Sequence, residues 1–128
     1  MILDDKLAVL LIEDNIINQR VIKIILEKNN CQISIATNGL EGYKFFLAAE
    51  FDLILMDIQM PLLDGYKATK KIRTFELKHP EKRRTPILGI TANIAQNNSQ
   101  KYIEVGMDNL LPKPFNLDSF KEAISTLA

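Results

Sequence analysis

Phe51-Asp-Leu-Ile-Leu-Met-Asp57-Ile-Gln-Met-Pro61-Leu-Leu-Asp-Gly65 is the stretch on which the fold turns. Leu53 to Met56 form an unbroken apolar run, the length of a strand buried on both faces. The run ends at a carboxylate, Asp57, and Pro61 and Gly65 break the chain before the next helical pattern. Asp57 is therefore expected at the carboxyl end of a central strand. In an open parallel sheet that end is where ligands bind. A lone aspartate there would merely bond its own turn, so the rest of the chain must decide.

Toward the N-terminus, residues 1–6 are a polar leader, and Leu7 to Ile12 repeat the apolar run and stop at Glu13-Asp14. Asn15 is a natural N-cap for a helix carrying Ile17, Val21, Ile22, Ile24, Ile25 and Leu26, which ends near Asn29-Asn30. Ile33 and Ile35 alternate with Gln32 and Ser34, the pattern of a strand near an edge. Asn38-Gly39 opens a second helix, Leu40 to Ala49, whose apolar face is marked by Leu40, Tyr43, Phe46 and Leu47. Toward the C-terminus, a third helix runs from Gly65 to Leu77, with Tyr66, Ala68, Thr69, Ile72 and Phe75 inward or at its edges. The polar connection 78–84 holds the only histidine, His79, read as solvated, and the run Lys82-Arg83-Arg84, read as a surface loop. Pro86 to Ile90 form a fourth strand before Thr91-Ala92. Residues 93–105 predict a short, weakly held helix stopped by Gly106. Leu110-Leu111 lead to Pro112-Lys113-Pro114, and Leu117 to Leu127 form the last helix, burying Phe120, Ala123, Ile124 and Leu127. Five strands alternating with five helices read as a doubly wound parallel α/β fold in one domain over residues 1–128.

Composition adds exclusions. At 128 residues, 47% hydrophobic and 25% charged, the chain matches a globular domain with a proper core. Sixteen basic and sixteen acidic residues cancel, so bulk charge argues for neither nucleic acid nor anionic membrane. Cys31 stands alone, at a strand start, and no Cys/His cluster offers a zinc site. Without a long apolar span or signal-peptide pattern, the chain reads as cytoplasmic, with no membrane segment.

Glu13, Asp14, Asp57, Thr91 and Lys113 all fall at the same rim of such a sheet. If strands one and three are neighbours, three carboxylates converge there and repel unless a cation joins them. Mg²⁺ suits oxygen ligands and often shares a substrate phosphate. Lys113 and Thr91 then suit an anion beside the metal. With no serine or cysteine nucleophile at this rim, a carboxylate is the best acceptor, giving an acyl phosphate.

Leu11-Ile-Glu-Asp-Asn15, Leu55 to Gly65, Ile90-Thr-Ala92 and Lys113-Pro114 together resemble a response-regulator receiver domain of two-component signalling, in order and spacing, across essentially the whole chain. The resemblance implies a flavodoxin-like sheet of order 2-1-3-4-5. It implies that Asp57 is the phosphoacceptor, and that Asp14, Asp57 and the backbone carbonyl of Gln59 bind Mg²⁺ directly, with Glu13 holding a metal-bound water. The Thr91 hydroxyl, the Ala92 N–H and Lys113 would meet the phosphoryl oxygens, and the Lys113–Pro114 bond would be cis. Where receivers often carry an aromatic residue, three positions before the lysine, this chain has Leu110, so the resemblance does not extend to the coupling that such a ring provides.

Glu13-Asp14-Asn15-Ile-Ile-Asn18-Gln19 is further similar to the receivers of hybrid histidine kinases, which implies a histidine kinase or histidine-phosphotransfer domain as partner; with the charges balanced, no nucleic acid is expected to be bound directly. The apolar arc of the first helix exceeds the roughly 100° that one packed face needs. Ile17, Val21 and Ile24 are accordingly expected to be an exposed docking face. The expected function is acceptance of a phosphoryl group from phosphohistidine, with self-catalysed phosphorylation and dephosphorylation rather than turnover of a separate substrate. The alternatives are a degenerate receiver used only for contacts, an aspartyl-phosphate hydrolase, and a flavin or nucleotide binder. The hydrolase wants an acid two residues past the nucleophile, where Gln59 stands. The nucleotide binder wants a glycine-rich loop where Glu13-Asp14 would repel phosphates.

Overall fold

The computed structural model describes residues 6–92 and 99–127. Five strands, β1 (Leu7–Ile12), β2 (Cys31–Ala36), β3 (Leu53–Asp57), β4 (Ile87–Thr91) and β5 (Asn109–Pro112), alternate with five helices. These are α1 (Ile16–Glu27), α2 (Gly39–Ala48), α3 (Gly65–Lys78), α4 (Ser99–Val105) and α5 (Leu117–Ser125). All strand pairs are parallel, in the order β2-β1-β3-β4-β5. Most of the leader, and residues 93–98 of the expected weakly held helix, lie outside the described residues.

Alternation along each strand divides the core into two layers. Val9 and Leu11 of β1, with Leu53 and Leu55 of β3, pack under α1 and α5 against Ile22, Leu26 and Phe120. Leu10, Ile12, Ile54 and Met56 point the other way, under Ala68 and Ile72 of α3 and against Met107. With both faces covered, the central strands read as continuous apolar runs. The outer strand β2 is less fully covered, with Ile33, Ser34 and Ile35 all half-buried, and Cys31 at its start is buried.

Helix caps follow local side chains. The Asn15, Asn38, Asp64 and Asn116 side chains each accept an N–H three residues on. Gly106, at φ +100°, follows α4 as expected.

Two expectations are corrected. Helix α2 does not bury Leu40 and Leu47, which are exposed. It buries Gly39 and Gly42, and a Cβ on Gly42 would lie 2.3 Å from Ile12 Cδ1. Glycine lets the helix backbone approach the sheet and carries no apolar signal, so the true stripe lies one residue away from the one the leucines suggest. His79 is not a solvated loop residue either. It caps α3, stacks on Phe75 at 4.0 Å between ring centroids, and its Nδ1 lies 2.9 Å from the Phe75 carbonyl.

The rim at the amino ends of β4 and β5 is tied by Arg73. Its guanidinium donates to the Gly106 carbonyl (3.0 Å), the Thr85 carbonyl (2.8 Å), Glu76 (2.6 Å) and Asp108 (3.2 Å). Asp108 also accepts from Arg84 (2.9 Å) and from the Ile87 N–H (2.9 Å). Arg83, by contrast, pairs with Asp52 from a largely exposed position. Among the described residues no helix is long and apolar enough to cross a membrane.

Candidate functional site

Parallel strands end on one side of the sheet, so the residues that follow them meet there. Ile12 of β1 pairs with Met56 of β3, which sets Glu13 beside Asp57 one residue further on. Asp57 in turn pairs with Ile90, so Thr91 closes β4 on the same rim. The Lys113 N–H donates to the Thr91 carbonyl at 2.8 Å, which brings the turn after β5 alongside.

Asp57 and Glu13 are buried, at 1% and 0% exposure, and Thr91 is buried with them. The Lys113 ammonium reaches over both carboxylates, 3.1 Å from Asp57 Oδ1 and 3.4 Å from Glu13 Oε1. Asp57 Oδ1 also accepts the Gln59 N–H at 3.2 Å. Glu13 is held through Oε2, which accepts the Asn15 N–H at 3.0 Å. Its carbonyl accepts the buried Gln19 side chain at 2.6 Å. Two buried carboxylate oxygens, Asp57 Oδ2 and Glu13 Oε1, accept no hydrogen bond.

The loop after Asp57 is shaped by its backbone. Leu62 has φ +70°, and the Leu63 N–H donates to the Pro61 carbonyl at 2.8 Å, a three-residue γ-turn. Gly65 then returns against the strand end. Its N–H donates to the Ile58 carbonyl at 2.9 Å, and a Cβ there would lie 2.3 Å from the Asp57 carbonyl oxygen. Only glycine permits that approach.

Electrostatics follow from this crowding. Burial first, then the charge of Glu13, push the Asp57 carboxyl up to about 7, against the pull of Lys113. Burial lowers the Lys113 ammonium, yet the charges of Asp57 and Glu13, and its close pairing with Asp57, outweigh that and raise it. Glu13, Asp14 and Asp57 each offer a carboxylate oxygen, all within 4.8 Å of one another, with Asp14 exposed on the open side. Clustered carboxylates with two unbonded buried oxygens make a hard-donor set suited to a divalent cation that keeps part of its water shell.

Glu13, Asp14, Asp57, Gln59, Thr91 and Lys113 are brought together at this rim, Ala92 follows Thr91 in the chain, and Lys113–Pro114 is cis. Ile17, Val21 and Ile24 on α1 are exposed, at 67%, 44% and 54%. Ile16, which the apolar arc did not include, is exposed beside them. Val21 also lines a small cavity of about 90 Å³ with Glu13, Lys113, Pro114 and Phe115, so the α1 face runs into the turn after β5. Sequence reasoning missed Gln19 as a support for Glu13. Its signal was a polar residue one turn behind the N-cap, on the side of the helix that Ile22 and Leu26 bury.

The model of the response regulator receiver domain matches residues 9–125. Hybrid signal transduction histidine kinase K of Dictyostelium discoideum is 42% identical over 123 residues, covering 94% of this chain and 10% of that protein. The receiver domain of sensor histidine kinase PA1611 from Pseudomonas aeruginosa, solved with magnesium in its active-site cleft, superposes with a TM-score of 0.82 at 32% identity, over 94% of this chain and 96% of that one. The receiver domain of Saccharomyces cerevisiae Ssk1, solved with the histidine phosphotransfer protein Ypd1, gives 0.84 at 34% identity, over 94% and 87%. The chain spans about a tenth of the kinase it resembles. A parallel sheet in the order β2-β1-β3-β4-β5, with an acidic cluster and a lysine at its carboxyl rim, is thus joined to sequence likeness along almost its entire length, and the chain belongs to the response regulator receiver family of two-component signalling.

Proposed function

We propose that Asp57 accepts a phosphoryl group from phosphohistidine, and that residues 1–128 act as one receiver domain in a phosphorelay. The observation that carries this reading is the Asp57 carboxylate: buried, 3.1 Å from Lys113, and with Oδ2 free of any hydrogen bond. An Asp57 oxygen attacks phosphorus while the P–N bond to the donor imidazole breaks. The electron pair returns to the imidazole nitrogen, which takes up a proton, and an acyl phosphate remains on Asp57. Asp14, Asp57 and the Gln59 carbonyl would hold Mg²⁺ directly and Glu13 would hold it through water; bound there, it would supply positive charge to the carboxylates and the phosphoryl oxygens. Lys113 moves its pairing from Asp57 to a phosphoryl oxygen, and the Thr91 hydroxyl and Ala92 N–H receive the others.

The partner is a histidine kinase or histidine-phosphotransfer domain. The kinase relationship and the yeast receiver solved with its phosphotransfer protein support that choice. It docks on Ile17, Val21 and Ile24, beside the acidic rim and on the cytoplasmic side, and no nucleic acid is bound directly. The domain catalyses only its own phosphorylation and dephosphorylation. Gln59, two residues beyond Asp57, is not an acid, which disfavours a dedicated hydrolase.

Incubation with acetyl phosphate and Mg²⁺, followed by intact-mass measurement, tests the assignment. One phosphoryl group is expected on the native chain and none on Asp57→Asn. Full labelling of that variant would move the acceptor elsewhere.

A further inference from the structure

The groove between α2 and α3 lies on the opposite face of the sheet from α1 and takes no part in the phosphoryl chemistry. It has a volume of about 450 Å³ and is lined by Tyr43 and Phe75 together with Lys67, Lys70, Lys71 and Lys78. These four lysines share one stripe of α3, Lys70, Lys71 and Lys78 lying three, four and eleven residues beyond Lys67. From Lys67 to Lys78 the stripe extends about 17 Å along the helix. All four are exposed, and among the described residues none is paired with a carboxylate. Nearby acids are engaged elsewhere: Glu76 with Arg73 and the Thr85 N–H, Glu41 with Thr37, and Asp64 with the Lys67 N–H. A chain with sixteen charges of each sign thus carries an uncompensated cationic ridge on one helix. Like charges at this spacing weaken a helix rather than support it, so folding does not account for them.

We propose that this groove docks an acidic peptide segment of a partner protein. The lysines supply charge complementarity along roughly three turns of the helix. Single-stranded nucleic acid, the other polyanion of suitable width, fits less well. Tyr43 stacks on Phe46, Phe46 meets Phe75 edge-on, and Phe75 stacks on His79. The Lys71 ammonium sits 5.0 Å over the Tyr43 ring. These rings are committed to one another and to Lys71, whereas strand binding needs open faces for the bases. The one arginine of α3, Arg73, is turned inward to Asp108 and Glu76 and offers no bidentate fork to a phosphate.

Fluorescence anisotropy of the full chain with a labelled helical peptide of Glu, Leu and Ala, about 15 residues long to match the stripe, tests this. Saturable binding that weakens with salt is expected. Lys70→Glu/Lys71→Glu should lower the affinity at least about tenfold, Lys70→Gln/Lys71→Gln should give a smaller loss, and Lys70→Arg/Lys71→Arg should retain binding. Peptide-induced NMR shift changes should centre on Tyr43 and Thr74. Labelling of Asp57 by acetyl phosphate should be unchanged in the charge-reversed variant, which separates loss of docking from loss of fold. No saturable binding, indifference to charge reversal, or tighter binding of an oligothymidylate of matched charge would each overturn the proposal.

Discussion

Asp57 combines burial with charge, and the two oppose each other. Its carboxyl is raised to about 7, chiefly by burial and then by Glu13. The folded state therefore binds this proton more tightly than the unfolded chain, whose aspartates titrate near 4. Stability contributed by the protonated form is complete below about pH 4 and is lost as pH rises toward about 7. In chelator, Asp57→Asn should be more stable than the native chain at pH 8, by roughly 2 kcal/mol after solvent screening at the open rim. The difference should vanish near pH 4. Urea titrations at the two pH values check the sign, and a variant less stable at pH 8 would contradict it. Mg²⁺ should narrow the gap at pH 8, because it stabilises only the native carboxylate cluster. The other two carboxylates divide along their exposure. Asp14→Ala should weaken Mg²⁺ binding strongly. Glu13→Gln should weaken it less, because a water-mediated contact is expected to carry less of the affinity. Calorimetric titration of both variants ranks them.

Among the elements, α1 and α2 show what a sequence can and cannot disclose. The arc on α1 was legible because isoleucines beyond the packed stripe have nowhere to go but outward. Ile17→Asp or Ile24→Asp should change stability by about 0.5 kcal/mol or less. Each should weaken docking of a phosphotransfer domain by about 1–3 kcal/mol if it anchors the interface. Labelling rates from phosphohistidine protein and from acetyl phosphate, compared in the same variant, separate docking from chemistry; equal losses by both routes would remove the docking role. The buried side of α2 was not legible, because Gly42 packs by having no side chain. Gly42→Ala, forced against Ile12, should destabilise the domain by about 1–3 kcal/mol in chemical unfolding. Arg73 was hidden for a different reason. An arginine in a lysine-rich helix reads as solvated, and only the folded chain reveals Glu76, Thr85, Gly106 and Asp108 around it. The acidic rim lay between these cases: its residues could be named from the strand ends, but Gln19 beneath Glu13 could not.

At the scale of the molecule, the two rims differ in kind. The amino rim of β4 and β5 is cross-linked by Arg73, whereas the carboxyl rim holds the unbonded carboxylate oxygens and the lysine between them. Motion on phosphorylation should therefore concentrate at the carboxyl rim and in α4 (Ser99–Val105), which is short and whose Lys101 shares a depression with Ile58 and Gln59. Hydrogen exchange with and without beryllofluoride should show changes within residues 99–105 and 110–113 and little at Thr85, Gly106 and Asp108. Equal change at both rims would mean that the Arg73 tie is not a brace.

The sheet order also has a consequence in time. During synthesis β1, β2 and β3 are complete once residue 57 has emerged, and β1 lies between the other two in the sheet. The Glu13–Asp14–Asp57 cluster can thus assemble while Lys113, fifty-six residues later, is still unmade. A half-sheet formed at that stage would present its acidic rim without the cation that finally covers it, and a proton or a metal ion from solution would be the counter-charge open to it until the lysine is translated.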